Sequence, residues 1–92
     1  MFKWLNKQGV ESDDGFVVQC VDRFTIEYRE GGHVMSVAIE AGMLAGKPCI
    51  IADPSAFRSW NSSTAELPTE EQLRIQRNFV AAMEFQGLAV DL

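Results

Sequence analysis

The stretch Leu67–Leu92 constrains the fold most, because a helix and the strand after it can both be read in it. Thr69 precedes Gln72 by three residues, which is the spacing of a capping box at a helix start. Gly87 is typical of the position after a helix end, and the alternation in Leu88–Leu92 predicts a short closing strand. The apolar residues between them recur at helical intervals and predict one buried face: Ile75, Phe79, Val80, Ala82 and Met83. The rest of the chain must supply the flat apolar surface that this face covers.

The polar side of the same helix is charged at its start. Glu70 and Glu71 lie in the first turn, where the helix dipole favours negative charge. Arg74 follows Glu70 at i+4, so we expect these two side chains to form an ion pair.

A glycine pair predicts the best-defined part of the sheet. Gly31 and Gly32 can both take the positive φ angles of a type I′ turn, between the strands Phe24–Glu30 and His33–Ala41. A two-residue turn at this place also fixes the register of the hairpin. One face is then apolar, with Phe24, Ile26 and Tyr28 opposite Ile39, Val37 and Met35. The other face carries mixed charges that we expect to pair with one another: Arg23, Glu27, Arg29 and Glu40.

The remaining segments complete a small sheet. Residues 1–15 are expected to be flexible or to form a short helix, and Phe16–Val21 is a nearly continuous apolar run that predicts a buried strand. Gly42–Pro48 is expected to be a turn-rich link, followed by a short strand at Cys49–Ala52. The predicted fold is therefore a single α+β domain over residues 1–92. It has a mainly antiparallel sheet of four or five strands, one C-terminal helix packed on one face, and a short closing strand.

The charge of the chain restricts the classes of partner. Thirteen acidic residues against eight basic ones give a net charge of −5, which argues against nucleic acid or an anionic membrane as the main partner. A basic protein partner is compatible with this charge. No apolar run approaches the roughly 18 residues of a membrane span. Cys20 and Cys49 lack the spacing of a redox motif and read as buried free thiols, so we expect a cytoplasmic protein.

The search for catalytic chemistry gives little. His33 is the one histidine, and we expect it to be an exposed cross-strand neighbour of Glu30 rather than a catalytic base. Ser36 is predicted to point to the opposite face from His33, so the two do not form a hydrolase pair. Two scattered cysteines and one histidine also lack the spacing of zinc ligands. We therefore predict no metal, no cofactor and no enzymatic activity.

Two aromatic residues after the short strand have two interpretations. Phe57 and Trp60 can cover the open end of the core, which is the favoured interpretation, or they can anchor a partner. Arg58 lies between them, and tryptophan and arginine are enriched at binding hot spots.

Three motifs in this order resemble a known family: YREGGHV, then IIADPSAFRSW, then LPTEEQLRIQRNFVAAMEFQGLAVDL. Together they resemble small bacterial immunity proteins of polymorphic and contact-dependent growth inhibition toxin systems, over Phe24–Leu92. The resemblance implies a non-enzymatic protein that binds one cognate toxin in the cytoplasm of the producing cell and neutralises it. Such toxins are often nucleases with basic clefts, which would suit an acidic inhibitor. The alternative is a small cytoplasmic structural or oligomeric domain without a toxin partner.

The expected docking surface of the partner is Asp53–Glu71, where aromatic residues adjoin acidic ones in sequence. We expect the chain to be a monomer or a weak homodimer before it binds. The predicted partner-binding residues are Asp53, Phe57, Arg58, Trp60, Glu66, Glu70 and Glu71.

Overall fold

A computed structural model describes residues 1–92 as a sheet with one long helix. The strands are β1 (Phe2–Asn6), β2 (Gly9–Ser12), β3 (Phe16–Asp22), β4 (Thr25–Glu30), β5 (His33–Leu44), β6 (Lys47–Ala52) and β7 (Ala89–Asp91). A 3₁₀ turn, Pro54–Phe57, and the helix α1, Thr69–Phe85, lie between the last two strands. The sheet order follows the chain order, and every pair is antiparallel except β6 and β7. The α+β class is confirmed, whereas the sheet has seven strands rather than four or five.

The helix packs its predicted apolar face against the sheet. Ile75, Phe79, Ala82 and Met83 are buried, as expected, and Val80 is half-buried. They join the core residues of β2 to β6 in one cluster of 15 buried apolar side chains. No helix of the structure is long and apolar enough to cross a membrane.

The helix begins differently from the prediction. Thr69 is the first helical residue and makes no capping bond, because the extended backbone of Pro68 directly precedes it. Gln72 instead donates from Nε2 to the carbonyl of Leu67 at 2.7 Å. The predicted end is confirmed, since Gly87 has a φ of 87° and the Leu88 N–H donates to the Met83 carbonyl at 3.0 Å.

The hairpin of β4 and β5 has the predicted register and turn. Ile26 pairs with Val37 and Tyr28 with Met35, and both glycines of the turn have positive φ angles. Phe24 was expected on the buried face but is 64% exposed. The reason is that β4 begins only at Thr25, so Phe24 belongs to the turn that leads into it.

The expected ion pairing across the outer face of this hairpin is wrong in part. Glu27 and Arg29 form an ion pair within β4. Arg23 and Glu40 form none, because Arg23 lies in the turn before β4, beyond the last paired residue of the two strands.

The N-terminal segment is a β-hairpin, not a flexible or short helical segment. β1 pairs with β2, and the ring of Phe2 packs edge-to-face on Phe16 with the ring centroids 5.7 Å apart. The turn lies at Lys7 and Gln8, and its sequence signal is in the flanking residues: Asn6, whose Oδ1 accepts the Gln8 N–H at 2.8 Å, and Gly9.

The segment Gly42–Pro48 is also not a link. β5 continues to Leu44, and the turn is formed by Ala45 and Gly46, with φ angles of 51° and 78°. Gly42 gives the Ile51 side chain room across this pair of strands, since an added Cβ would lie 2.6 Å from Cδ1 of Ile51 and would displace it. β5 therefore pairs with β4 through its first half and with β6 through its second half.

Candidate partner-binding surface

The structure separates the residues that the sequence predicted as one docking surface. Phe57 is fully buried, and its ring packs edge-to-face on Phe79 with the centroids 5.3 Å apart. Phe57 therefore belongs to the core, as the favoured interpretation of the sequence had it, and offers no exposed surface to a partner. The Asp53 carboxylate caps the 3₁₀ turn that positions Phe57, because its Oδ1 accepts the Ser55 N–H at 2.9 Å.

Most of the acidic rim expected around the helix start is neutralised within the chain. Glu66 lies 3.4 Å from Nε of Arg58, and Glu71 lies 2.8 Å from Nη2 of Arg74. The sequence predicted an ion pair between Arg74 and Glu70, but Arg74 pairs with Glu71 instead. Glu70 remains exposed and forms no ion pair.

Trp60 is half-buried within a row of aromatic rings. It stacks on Tyr28 at 6.1 Å between centroids and on His33 at 5.2 Å. Phe16 continues the row on the far side of Tyr28 at 5.4 Å. The expected placement of His33 opposite Glu30 is confirmed. Trp60 thus packs over the edge of the core, in contact with the buried Tyr28 ring and the exposed His33 ring.

A polar cluster beside this row joins the sheet to the helix. The Tyr28 hydroxyl donates to Glu30 and accepts from Nδ2 of Asn78 at 3.0 Å. Glu30 also pairs with Arg74 at 3.0 Å. Burial, followed by the bond to Glu30, raises the pKa of Tyr28 well above its ordinary value. The two glutamates raise the pKa of Arg74, and Arg74 lowers that of Glu71. Every charged group of the cluster has a partner within it, which indicates a structural role.

An open groove of about 820 Å³ lies where β5 changes its pairing partner. It is lined by the turn before β4, the middle of β5 and the end of β6, and two-thirds of its residues are apolar. Phe24 stands at one side of the groove and Ile51, which is 39% exposed, at the other. Sequence reasoning missed this groove because it assigned Phe24 to the core. The signal that could have revealed it is Asp22, whose Oδ1 accepts the Phe24 N–H at 2.8 Å and so ends the strand there.

Two carboxylates line the same groove without a basic partner. Glu40 and Asp53 form no ion pair. The bonds from Ser55, followed by the charge of Arg58, lower the pKa of Asp53. Asp53 is thus the one predicted site residue that the structure places in this groove.

The ribbon of β5 and β6 extends the apolar surface beyond the groove. Met43 is 67% exposed and Leu44 is 47% exposed. The edge of β5 that faces β4 has no partner strand in this part. Pairing with β4 ends at Ala38, and the last bond in that direction joins the Ile39 N–H to the Phe24 carbonyl at 2.8 Å. We call the segment from Glu40 to Leu44 the free half of β5.

A second apolar patch lies at the other end of the molecule. Trp4 and Leu5 of β1 are about half exposed, and Trp4 packs against Phe85 at the helix end with the centroids 5.8 Å apart. No unpaired carboxylate is part of this contact, and Lys7 follows β1 directly.

The titratable residues form no metal-binding group. No three histidine, cysteine, aspartate or glutamate side chains are close enough together to hold a metal ion. Cys49 is buried as expected, whereas Cys20 is half-buried and its thiol donates to the Asp22 carbonyl at 3.2 Å.

Comparisons of this chain with protein-family models, with curated proteins and with solved structures found no match.

Proposed function

We propose that this chain is a non-enzymatic immunity protein, which binds a cognate bacterial toxin in the cytoplasm of the producing cell and neutralises it. The observation that carries the proposal is the groove beside the free half of β5. There, exposed apolar side chains adjoin two carboxylates that form no ion pair within the chain.

The physical case rests on what such a surface does. Exposed aromatic and aliphatic side chains in a concave place supply the buried centre of a protein interface. Unpaired carboxylates at its rim attract a basic partner over a Debye length and favour rapid association. The net charge of −5 acts in the same direction. A nuclease toxin with a basic cleft has the complementary surface.

The proposed docking surface differs from the one expected from sequence. It shares Asp53 with the segment Asp53–Glu71 but is centred on Phe24, Glu40 and Ile51. The Trp60 loop remains close to it along β5, because Asn61 bonds to Val34 and Ser36 and the groove begins two residues later, at Ala38.

Co-expression tests the function directly. The gene product encoded beside this chain is expressed in a sensitive bacterium with and without the chain. We expect growth arrest without the chain, full growth with it, and a complex that survives gel filtration. A neighbouring product that is harmless alone, or that still arrests growth in the presence of the folded chain, contradicts the proposal.

A matched pair of variants then locates the surface. Phe24→Ser removes the most exposed aromatic side chain of the groove, and Phe85→Ser removes an aromatic side chain of the distant patch, which is 44% exposed. We expect the first to weaken the toxin complex by about tenfold or more, since a buried hot-spot residue contributes about 2 kcal/mol or more. The second should leave the affinity within about twofold if the folded state is intact.

The alternative, a structural or oligomeric domain, has one observation in its favour. The free half of β5 can pair with the same segment of a second copy, as unpaired strand edges do. Analytical ultracentrifugation separates the two functions. A tight dimer that shows no binding to the neighbouring gene product would favour the alternative.

A further inference from the structure

We infer that the partner docks by strand addition: an extended segment of alternating basic and apolar residues pairs with the free half of β5. The inference rests on the proposed function for the identity of the partner. The mode of binding rests on the backbone of this chain alone.

The backbone bonds of β5 show which groups are unpaired. The Ile39 N–H points towards β4, since it donates to the Phe24 carbonyl. Alternate residues of a strand direct their backbone groups to the same edge, so Ala41 and Met43 also point to that side. β4 does not extend beside them, and no other backbone bond of the chain reaches them. Two N–H groups and two carbonyl groups are therefore open to an incoming strand.

The other free edges of the sheet carry protection that this one lacks. β1 has an irregular register between Trp4 and Asn6 and carries Lys3, while β7 is only three residues long. A bulge, a lysine and a short length each discourage unwanted pairing at an edge. The free half of β5 has a regular register with β6 and contains no lysine and no proline.

The first half of β5 is covered as well. The Asn61 N–H donates to the Val34 carbonyl at 2.8 Å, and Asn61 Oδ1 accepts the Ser36 N–H at 2.9 Å. The first half of β5 is thus paired with β4 on one edge and partly covered by Asn61 on the other, whereas the half beside the groove has no cover on its outer edge.

The two faces of this edge specify the chemistry of the segment. One face carries Glu40, which is paired with Ile51 of β6, and Asp53, which follows Ile51 by two residues. Neither carboxylate forms an ion pair. Side chains on that face of an added strand would approach these carboxylates, which favours lysine or arginine there. On the other face lie Phe24 and Met43, both mostly exposed, which favour apolar side chains. Arg23 is also free of ion pairs; it follows Asp22, the last residue of β3, directly in sequence, so a charge of each sign lies at this point of the chain.

A second copy of this chain fits the edge less well. Two free halves paired about a twofold axis would satisfy the backbone of Ala41 and Met43. They would bring no basic side chain of β5 to Glu40 and Asp53, because the free half carries none. The charge complementarity therefore points to a different, basic partner.

Peptide selection tests the mode of binding without any toxin. A displayed library of random peptides of about ten residues, a common strand length, is selected on the folded wild-type chain. We expect enriched peptides in which basic and apolar residues alternate. Two N-methylated forms of an enriched peptide are then synthesised, each methylated at one of the two sets of alternate residues. Methylation of the set whose N–H groups face β5 should weaken binding by about tenfold or more, and methylation of the other set should have little effect.

Variants of the chain provide the second arm. Ala41→Pro removes an open donor from the free edge and should weaken the selected peptide by about tenfold, with circular dichroism and the melting temperature as folding controls. The double variant Glu40→Gln and Asp53→Asn should weaken it more at low salt than at high salt. Asn still caps the 3₁₀ turn. The control is Glu70→Gln with Glu84→Gln, which removes the same charge from two exposed helix residues and should have little effect.

The outcomes separate the two proposals. No enriched peptide, or enriched peptides that tolerate N-methylation on both registers, would overturn strand addition. Selected peptides that lack basic residues, or that bind the Glu40 and Asp53 double variant as they bind its control, would overturn the basic partner. The peptides can also behave as expected while the neighbouring gene product does not bind the chain. That combination would contradict the toxin function and leave the docking mode intact.

Discussion

The two halves of β5 have the same backbone conformation and opposite surroundings. Met35 and Val37 in the first half are fully buried, with β4 on one edge and Asn61 on the other. Met43 in the second half is 67% exposed beside an edge without a partner. The strand is one element of secondary structure, but only its first half belongs to the core. The exposed side chains of the second half add little to the core, and we propose that they serve binding.

A pair of methionines gives the sharpest test of this difference. Met35→Ala should lower the free energy of unfolding by about 2–5 kcal/mol, because it removes a fully buried side chain and leaves a cavity. Met43→Ala makes the same chemical change in the exposed half and should alter it by less than about 0.5 kcal/mol. Urea titrations of both variants measure the two values. Equal losses would show that the two halves are packed alike.

Alkaline pH tests the burial of the strand that faces the first half. Tyr28 pairs with Met35, and its raised pKa means that the folded chain keeps a proton that the unfolded chain loses. The contribution of the protonated hydroxyl to the free energy of unfolding is complete below the ordinary tyrosine pKa of 10.0. It is lost as the pH rises above that value, by at most about 1.4 kcal/mol per pH unit. Tyr28 is the one tyrosine, so tyrosinate absorbance reports it directly.

The control for this prediction is Tyr28→Phe. All other groups that titrate at high pH are common to both proteins, so the difference in their unfolding free energies isolates the hydroxyl. The variant should lose less stability than the wild type above pH 10.0. The same pH profile for both proteins would contradict the burial of the hydroxyl.

The part of the cover on the first half of β5 that the Asn61 side chain provides can be removed with one substitution. Asn61→Ala leaves the Ser36 N–H without its acceptor and should cost about 1 kcal/mol of stability. Asn61→Asp keeps an acceptor for this N–H and should retain more of the stability. Amide exchange at Ser36 should be faster in the alanine variant than in the aspartate variant. If the alanine variant is as stable as the wild type, Asn61 does not protect the edge.

Substitutions in the turn between β5 and β6 should change the stability least. Ala45 has a φ of 51°, a left-handed conformation that costs an alanine roughly 1 kcal/mol relative to glycine. Ala45→Gly should therefore stabilise the chain by less than about 1 kcal/mol, since glycine also gains entropy in the unfolded chain. Gly46→Ala, at a φ of 78°, should destabilise it. Thermal unfolding of both variants shows whether each substitution raises or lowers the stability. A loss of stability in Ala45→Gly would contradict the turn assignment.

The sequence predicted those parts of the fold in which local chemistry and long-range pairing agree. The glycines at positions 31 and 32 determine both the turn and the register of β4 and β5. The apolar spacing from Ile75 to Met83 likewise predicted the face of α1 that the core buries.

The parts that the sequence did not predict depend on neighbours that are distant along the chain. Gly42 looked like a turn residue, but it lies within β5, where Ile51 occupies the place that its side chain would take. The choice of Ala45 for a left-handed turn position has no local signal. The ion pairs that neutralise part of the acidic rim around the helix start were also missed, because Arg58 and Arg74 fold back onto it.

Hydrogen exchange of the β5 amides in the free protein tests the central claim most directly. The N–H groups of Ala41 and Met43 face the free edge, whereas those of Glu40, Gly42 and Leu44 face β6. The structure predicts an alternating pattern, with fast exchange at Ala41 and Met43 and slow exchange at the three residues that pair with β6. Exchange at Ala41 and Met43 as slow as at these neighbours would show that the edge is already occupied, and the proposed docking mode would be wrong.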